Sequence, residues 1–205
     1  TPPCTDAIIQ AGILRVNVSI IDPNPAVNGR GILQLEAAGI QVDIYNKESQ
    51  YTELLAPYCK WVDTNLPFVT AKYAMSLDGK IATDQGESRW ISGISSRKFT
   101  HKLRKESDAI MVGIGTVAKD NPRLTVRDPH GKPRNHQPLR IIIDSSGKLS
   151  PNTLLLHEPG KTLVATATIS NDRHSLLNNL GVEVLVIPGE NKRVNLVLLM
   201  EELGK

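Results

Sequence analysis

The sequence predicts an α/β protein with a largely parallel sheet, arranged as two domains. Three observations carry this. Segments with strand patterning alternate with segments of helical patterning along most of the chain. The composition, 40% hydrophobic and 22% charged, is that of an ordinary globular protein, and 205 residues suffice for one large domain or two small ones. A short polar connection, Asp63 to Pro67, separates two different patterns and divides the chain into domains 1–65 and 66–205.

In the first domain, Asp6 to Gln10 is a short helical run. Leu14 to Ile21 alternates apolar and polar residues, with Leu14, Val16, Val18 and Ile20 on one face, the signature of a half-buried strand. Asp22-Pro23-Asn24-Pro25 is a turn. Ile32 to Ala38 reads as a helix ended by Gly39, Ile40 to Tyr45 as a second strand, and Ser49 to Val62 as a helix that Pro57 should bend.

In the second domain, Phe68 to Met75 is apolar enough for a buried strand. Ser95 to Glu106 is helical, Ala109 to Gly113 a strand, and Thr116 to Asp120 a helical turn. Asp128 to Gln137 is a polar loop. Arg140 to Asp144, Thr162 to Ala165 and Val182 to Ile187 are strands, and Ser170 to Asn179 and Val194 to Leu203 are helices.

Several classes of function are disfavoured. A net charge of +3 and 4% aromatic residues offer neither a strong phosphate-backbone field nor a base-stacking platform, so no nucleic-acid partner is expected. The longest apolar run, Leu196 to Met200, is far short of the roughly 20 residues that cross a bilayer. Two cysteines, Cys4 and Cys59, make no disulfide framework, and a reducing cytoplasm is expected. The chain opens at Thr1 with no signal peptide and closes at Leu203-Gly204-Lys205, where a capping glycine usually leads into a further element. A piece of a longer protein, cut at both ends, is the expectation.

Individual residues support both plain and functional readings. Cys4 opens a helical run, where the dipole favours a thiolate, yet zinc needs three or four protein ligands and no histidine lies at ligand spacing. By itself, Cys4 reads as a buried structural thiol. Gly79 and Gly86 let backbone approach a ligand around Lys72-Tyr73-Ala74-Met75-Ser76-Leu77-Asp78-Gly79-Lys80-Ile81-Ala82 and Gly86-Glu87-Ser88-Arg89-Trp90-Ile91-Ser92. Arg97 to Lys105 carries five cations and no acid. On a helix, Arg97, His101 and Arg104 share one stripe, Lys98, Lys102 and Lys105 another, and Phe99 and Leu103 make a buried pair. The lysines read as a solvated face, whereas Arg104 beside Leu103 is a phosphate candidate, since a guanidinium can clamp phosphate with two bonds. Gly113-Ile114-Gly115-Thr116 follows a strand and opens a helical turn that suits a phosphate. Asp120 reads as a turn cap before Asn121-Pro122, and Trp90 as plain core.

Taken together, these motifs resemble a known family. Thr1-Pro2-Pro3-Cys4-Thr5-Asp6-Ala7-Ile8-Ile9, Asp22-Pro23-Asn24-Pro25 and Gly29-Arg30-Gly31 are similar to the end of a zinc-dependent cytidine-deaminase-like domain. The stretch from Lys72 to Ser92, with Asp108-Ala109-Ile110-Met111-Val112-Gly113, Asp120-Asn121-Pro122, Leu124-Thr125-Val126-Arg127 and Ile143-Asp144-Ser145, resembles the dihydrofolate-reductase-like half of the bifunctional riboflavin-biosynthesis deaminase–reductases. The resemblance covers nearly the whole chain.

The resemblance implies the remainder of a deaminase domain followed by an incomplete NADPH-dependent reductase domain. Cys4 would match one zinc ligand, with the others and the catalytic Glu upstream, so no deaminase activity and no catalytic residue are expected within this chain. NADPH contacts are implied at Ala74, Trp90, Thr116, Asp120 and Ser145, and substrate contacts at Ser88, Arg104, Leu124 and Arg127. The implied substrate is a small phosphorylated pyrimidine whose ribosyl group becomes ribityl, and a homo-oligomer is implied for the parent enzyme. A reductase acting on another phosphorylated pyrimidine or pterin, and a non-catalytic remnant, are the alternatives. Lys72, Arg104 and Arg127 favour a phosphorylated substrate over a plain folate. A Gly-rich cofactor segment that the family carries after the last helix has no counterpart here, so weak NADPH binding is expected.

Overall fold

A computed structural model describes residues 3–45, 48–88, 90–128 and 130–205, with the backbone alone over 48–52. Two compact units result, Thr1–Thr70 with Met200–Lys205, and Ala71–Leu199. Residues Thr1, Pro2 and Arg89 of the motifs above lie outside the described residues.

In the first unit, helix α1 (Cys4–Gln10) precedes strand β1 (Arg15–Val18), helix α2 (Arg30–Ala37), strand β2 (Gln41–Ile44) and helix α3 (Glu48–Thr64). β1 and β2 pair in parallel, Val16 opposite Val42. A parallel pair needs a crossover between its strands, and α2 supplies it, burying Leu35 while Ile40 is buried just before β2. The expected alternation is only half used. Val16 and Val18 are half-buried, but Leu14 is 82% exposed, because the strand begins after it. α2 ends where Gly39 takes φ +79°, a conformation that costs an L-residue about 1–2 kcal/mol. α3 continues through Pro57 at the loss of one backbone bond. Near its end, the Trp61 indole Nε1 donates to the Gly204 carbonyl at 2.8 Å.

In the second unit, helix α4 (Ile94–Glu106) is followed by β3 (Ala109–Gly113), α5 (Ile114–Asp120), β4 (Leu139–Ile143), β5 (Thr162–Thr166), α6 (Asn171–Asn179), β6 (Val182–Val186) and the start of α7 (Leu196–Leu203), whose residues from Met200 onward belong to the first unit. The strands form one sheet in the order β3-β4-β5-β6, all parallel. Val112, Ile142, Val164 and Val184 stand opposite one another in a row across it. On that face Val117 of α5, Leu177 of α6, and Leu124, Leu149 and Leu155 close the core. Burying each such side chain contributes about 1.5–3 kcal/mol. Ser170 caps α6, its side chain accepting from the Arg173 N–H, as short polar N-caps do.

Two expectations need correction. Phe68 to Met75 forms no strand. Phe68 is 47%, Val69 66%, Tyr73 68% and Met75 53% exposed. Apolar, β-prone residues become a strand only when a neighbour completes the ladder, and none pairs with this segment among the described residues. Phe99 is not half of a buried pair either. It is 58% exposed, while Leu103 is half-buried together with Arg97, Thr100, His101 and Arg104 on the inward side of α4.

Candidate active site

The polar inward face of α4 gives the site its character. Arg104 Nη1 donates to the Thr125 carbonyl at 3.0 Å, fastening α4 to the segment that follows α5. That segment is held in an unusual shape. Leu124 is buried yet has φ +53°, a conformation that costs a non-glycine residue about 1–3 kcal/mol and clusters at functional sites. Gln137 stands in for a neighbouring strand. Its Oε1 accepts from the Val126 N–H at 2.8 Å and its Nε2 donates to the Val126 carbonyl at 2.9 Å.

Three polar atoms in this neighbourhood are buried without a partner among the described residues: His101 Nδ1, Thr125 Oγ1 and Arg127 Nε. The electrostatics agree with the geometry. Burial holds the Arg104 guanidinium below its ordinary value, and Arg127 adds to the effect. Burial also lowers His101, with Arg104 and Arg127 pushing the same way. Among the described residues, no carboxylate pairs with Arg104 or Arg127. Cations gathered out of water with no counterion are costly, and a bound anion relieves that cost through charge-assisted hydrogen bonds.

The other candidate residues sit on separate elements. Trp90 is 72% exposed, which corrects its reading as plain core. The Arg97 guanidinium sits over its ring at 4.3 Å and donates to the Ser92 carbonyl at 2.6 Å. One face of α4 therefore carries both the residue that steadies Trp90 and the residue that fastens Thr125. Thr116 and Asp120 are both exposed and share a face of α5, four residues apart. Ser88 is half-buried, in a turn where Gly86 has φ +79° and a side chain there would meet Lys119 Nζ at 2.7 Å. Ser145 follows the carboxyl end of β4. Its Oγ accepts from the Val194 N–H at 3.2 Å, and its carbonyl accepts from Ala167 and Thr168. The carboxyl ends of parallel strands are where open α/β sheets bind ligands. Ala74 is half-buried and Lys72 exposed in the irregular segment. Among the described residues, no hydrogen bond or ion pair joins Ala74, Ser88 or Ser145 to the Arg104–Arg127 cluster.

The metal candidate stands apart. Cys4 is exposed rather than a buried structural thiol, because it is the first residue of a short helix with no buried residue of its own. No group of three or more metal-ligating side chains occurs among the described residues. None of the described helices is long and apolar enough to cross a membrane.

An all-parallel α/β unit that half-buries two arginines with no carboxylate partner among the described residues places the chain among the open α/β domains. Residues 67–205 match the family described as the RibD C-terminal domain, and the chain belongs to that family. The riboflavin biosynthesis protein RibD of Aquifex aeolicus is 42% identical over 204 residues, which is 99% of this chain and 56% of that protein. A crystal structure of a diaminohydroxyphosphoribosylaminopyrimidine deaminase/5-amino-6-(5-phosphoribosylamino)uracil reductase from Thermotoga maritima matches with TM-score 0.81 at 34% identity, over 100% of this chain and 54% of that one. Acinetobacter baumannii RibD matches with TM-score 0.81 at 35% identity, over 99% and 55% respectively. The chain thus spans about half the length of the relatives it matches. The α/β fold and the family resemblance read from the motifs agree with these matches.

Proposed function

We propose that this chain carries the reductase part of a riboflavin-biosynthesis enzyme, reducing the ribosyl group of 5-amino-6-(5-phosphoribosylamino)uracil to the ribityl product with NADPH. The observation that carries the reading is the Arg104–Arg127 pair, partly buried and without a carboxylate partner among the described residues. It suits the 5′-phosphate of the substrate, with Leu124 shaping the backbone beside it and Ser88 offering a hydroxyl. NADPH supplies the hydride. Trp90, steadied by Arg97, offers an aromatic surface, and Ala74, Thr116, Asp120 and Ser145 would flank the cofactor. The protein's contribution is positioning. The described residues do not make a zinc site, because Cys4 has no companion ligands, and no metal-dependent step is derived for this chain.

The test is calorimetric titration of the chain with ribose 5-phosphate, and a parallel assay of substrate-dependent NADPH oxidation. Binding should weaken about 10- to 100-fold in Arg104→Ala and in Arg127→Ala, the loss of one charge-assisted bond in each. Ribose 5-phosphate affinity unchanged in both variants would remove the phosphate from this place.

A further inference from the structure

We propose that His101 is a proton-coupled third cation of the phosphate subsite, so that binding a dianion draws one proton onto its imidazole. The inference rests on the reading of Arg104 and Arg127 as that subsite and adds a residue to it. His101 lies three positions before Arg104 on the inward face of α4, and residues at that spacing are neighbours. Its Nδ1 is buried without a partner among the described residues, as are Arg127 Nε and Thr125 Oγ1. The imidazole therefore does not hold the fold through that nitrogen.

The charged groups that act on His101 are Arg104 from its own helix and Arg127 from the segment opposite, and neither is an acid. With no anion present, a third positive charge there is opposed by burial and by both guanidiniums, and the ring stays neutral. A dianion reverses the balance. Two arginines neutralise it, and a third charge on the ring is then attracted to the anion as well as repelled by the arginines. Donor count points the same way. Arg104 already spends an N–H on the Thr125 carbonyl, and a phosphate group has three terminal oxygens to satisfy. A neutral imidazole donates from one nitrogen, a protonated one from both. Protonation thus makes Nδ1 a donor without removing the donor at Nε2.

Sulfate is the probe, because it remains a dianion across the neutral range, whereas a phosphate monoester titrates near pH ~6 and would mask the protein's proton. Calorimetry on the chain, in buffers of differing ionisation enthalpy, should show proton uptake on sulfate binding. Affinity should rise as pH falls, approaching about tenfold per pH unit between the free and bound pKa of His101. In His101→Gln the affinity should be weaker and independent of pH. In the unaltered chain, the His101 ring resonances should titrate at higher pH with sulfate than without it, a readout that needs no variant. Sulfate binding that depends on both arginines, with no proton uptake and an unmoved His101 titration, would overturn the inference and leave the subsite standing. Sulfate binding that is absent, or indifferent to Arg104→Ala and Arg127→Ala, would overturn the subsite itself.

Discussion

Replacing Arg104 by alanine should separate anion binding from stability. In the fold the substitution removes the bond to the Thr125 carbonyl. A hydrogen bond from a charged donor is worth about 1.5–3 kcal/mol. The same substitution removes a partly buried cation that Arg127 repels, and burial and that repulsion both disfavour its charge. The two contributions oppose each other. The net stability change should stay within about 1 kcal/mol, a melting shift of about 2–4 °C for a chain of this size. Ligand binding has no such compensation under the proposed role, in which the guanidinium's remaining donors bind the phosphate. Ribose 5-phosphate affinity should fall about 10- to 100-fold. Arg104→Lys, which keeps the charge and loses the planar fork, should fall between the two. Scanning calorimetry and titration calorimetry on the same preparations read both quantities. A melting temperature lowered by more than about 8 °C with unchanged affinity would make Arg104 a structural arginine and refute the reasoning.

Three further outcomes are expected. His101 is held below its ordinary value of 6.5 by burial and two arginines, so the unfolded chain binds more protons between the folded pKa and 6.5. This contribution to stability is fully present above pH ~6.5 and is lost as pH falls towards the folded pKa. In anion-free urea melts, His101→Gln should lose less stability on acidification than the unaltered chain, and equal losses would contradict the assignment. Gly86→Ala should cost about 1–2 kcal/mol in urea unfolding, from the positive φ rather than from crowding. Adding Lys119→Ala should therefore recover little, and a full recovery would place the cost in the contact at Lys119 Nζ instead. Arg97→Ala should release the exposed Trp90 ring. An exposed cation–π contact is worth about 0.5–1 kcal/mol, so NADPH affinity should weaken a few-fold and the near-ultraviolet circular dichroism of Trp90 should diminish. An unchanged spectrum would show that the stacked pair does not order the indole.

Much of the second unit was legible from local pattern. Ala109 to Gly113 was read to the residue, and the later strands to within a residue or two. They are short apolar runs that end at glycine or polar turns, signals that need no distant partner. Phe68 to Met75 carries equally apolar residues and forms no strand, because a ladder needs a neighbour and sequence pattern does not specify one. Phe99 and Leu103 satisfy helical spacing for a buried pair, yet α4 turns its arginine stripe inward. Spacing defines the faces of a helix but not which of them meets the rest of the protein.

The site divides along the same line. Arg104 and Arg127 were nominated from the sequence by their chemistry and their motifs, and the stripe of Arg97, His101 and Arg104 was visible at helical spacing. What the folded chain adds is convergence. Arg104 reaches Thr125 across 21 positions, Gln137 braces Val126 across 11, and His101 comes under the influence of Arg127. Unpartnered buried atoms are properties of a packed neighbourhood, not of any residue type. The sequence alone determined the α/β order, the parallel strands and the residue types able to hold a phosphorylated ligand, since these follow from local periodicity and side-chain chemistry. Tertiary structure decided which of those side chains lose their water together, because burial and charge interaction depend on distances in space that chain order does not contain.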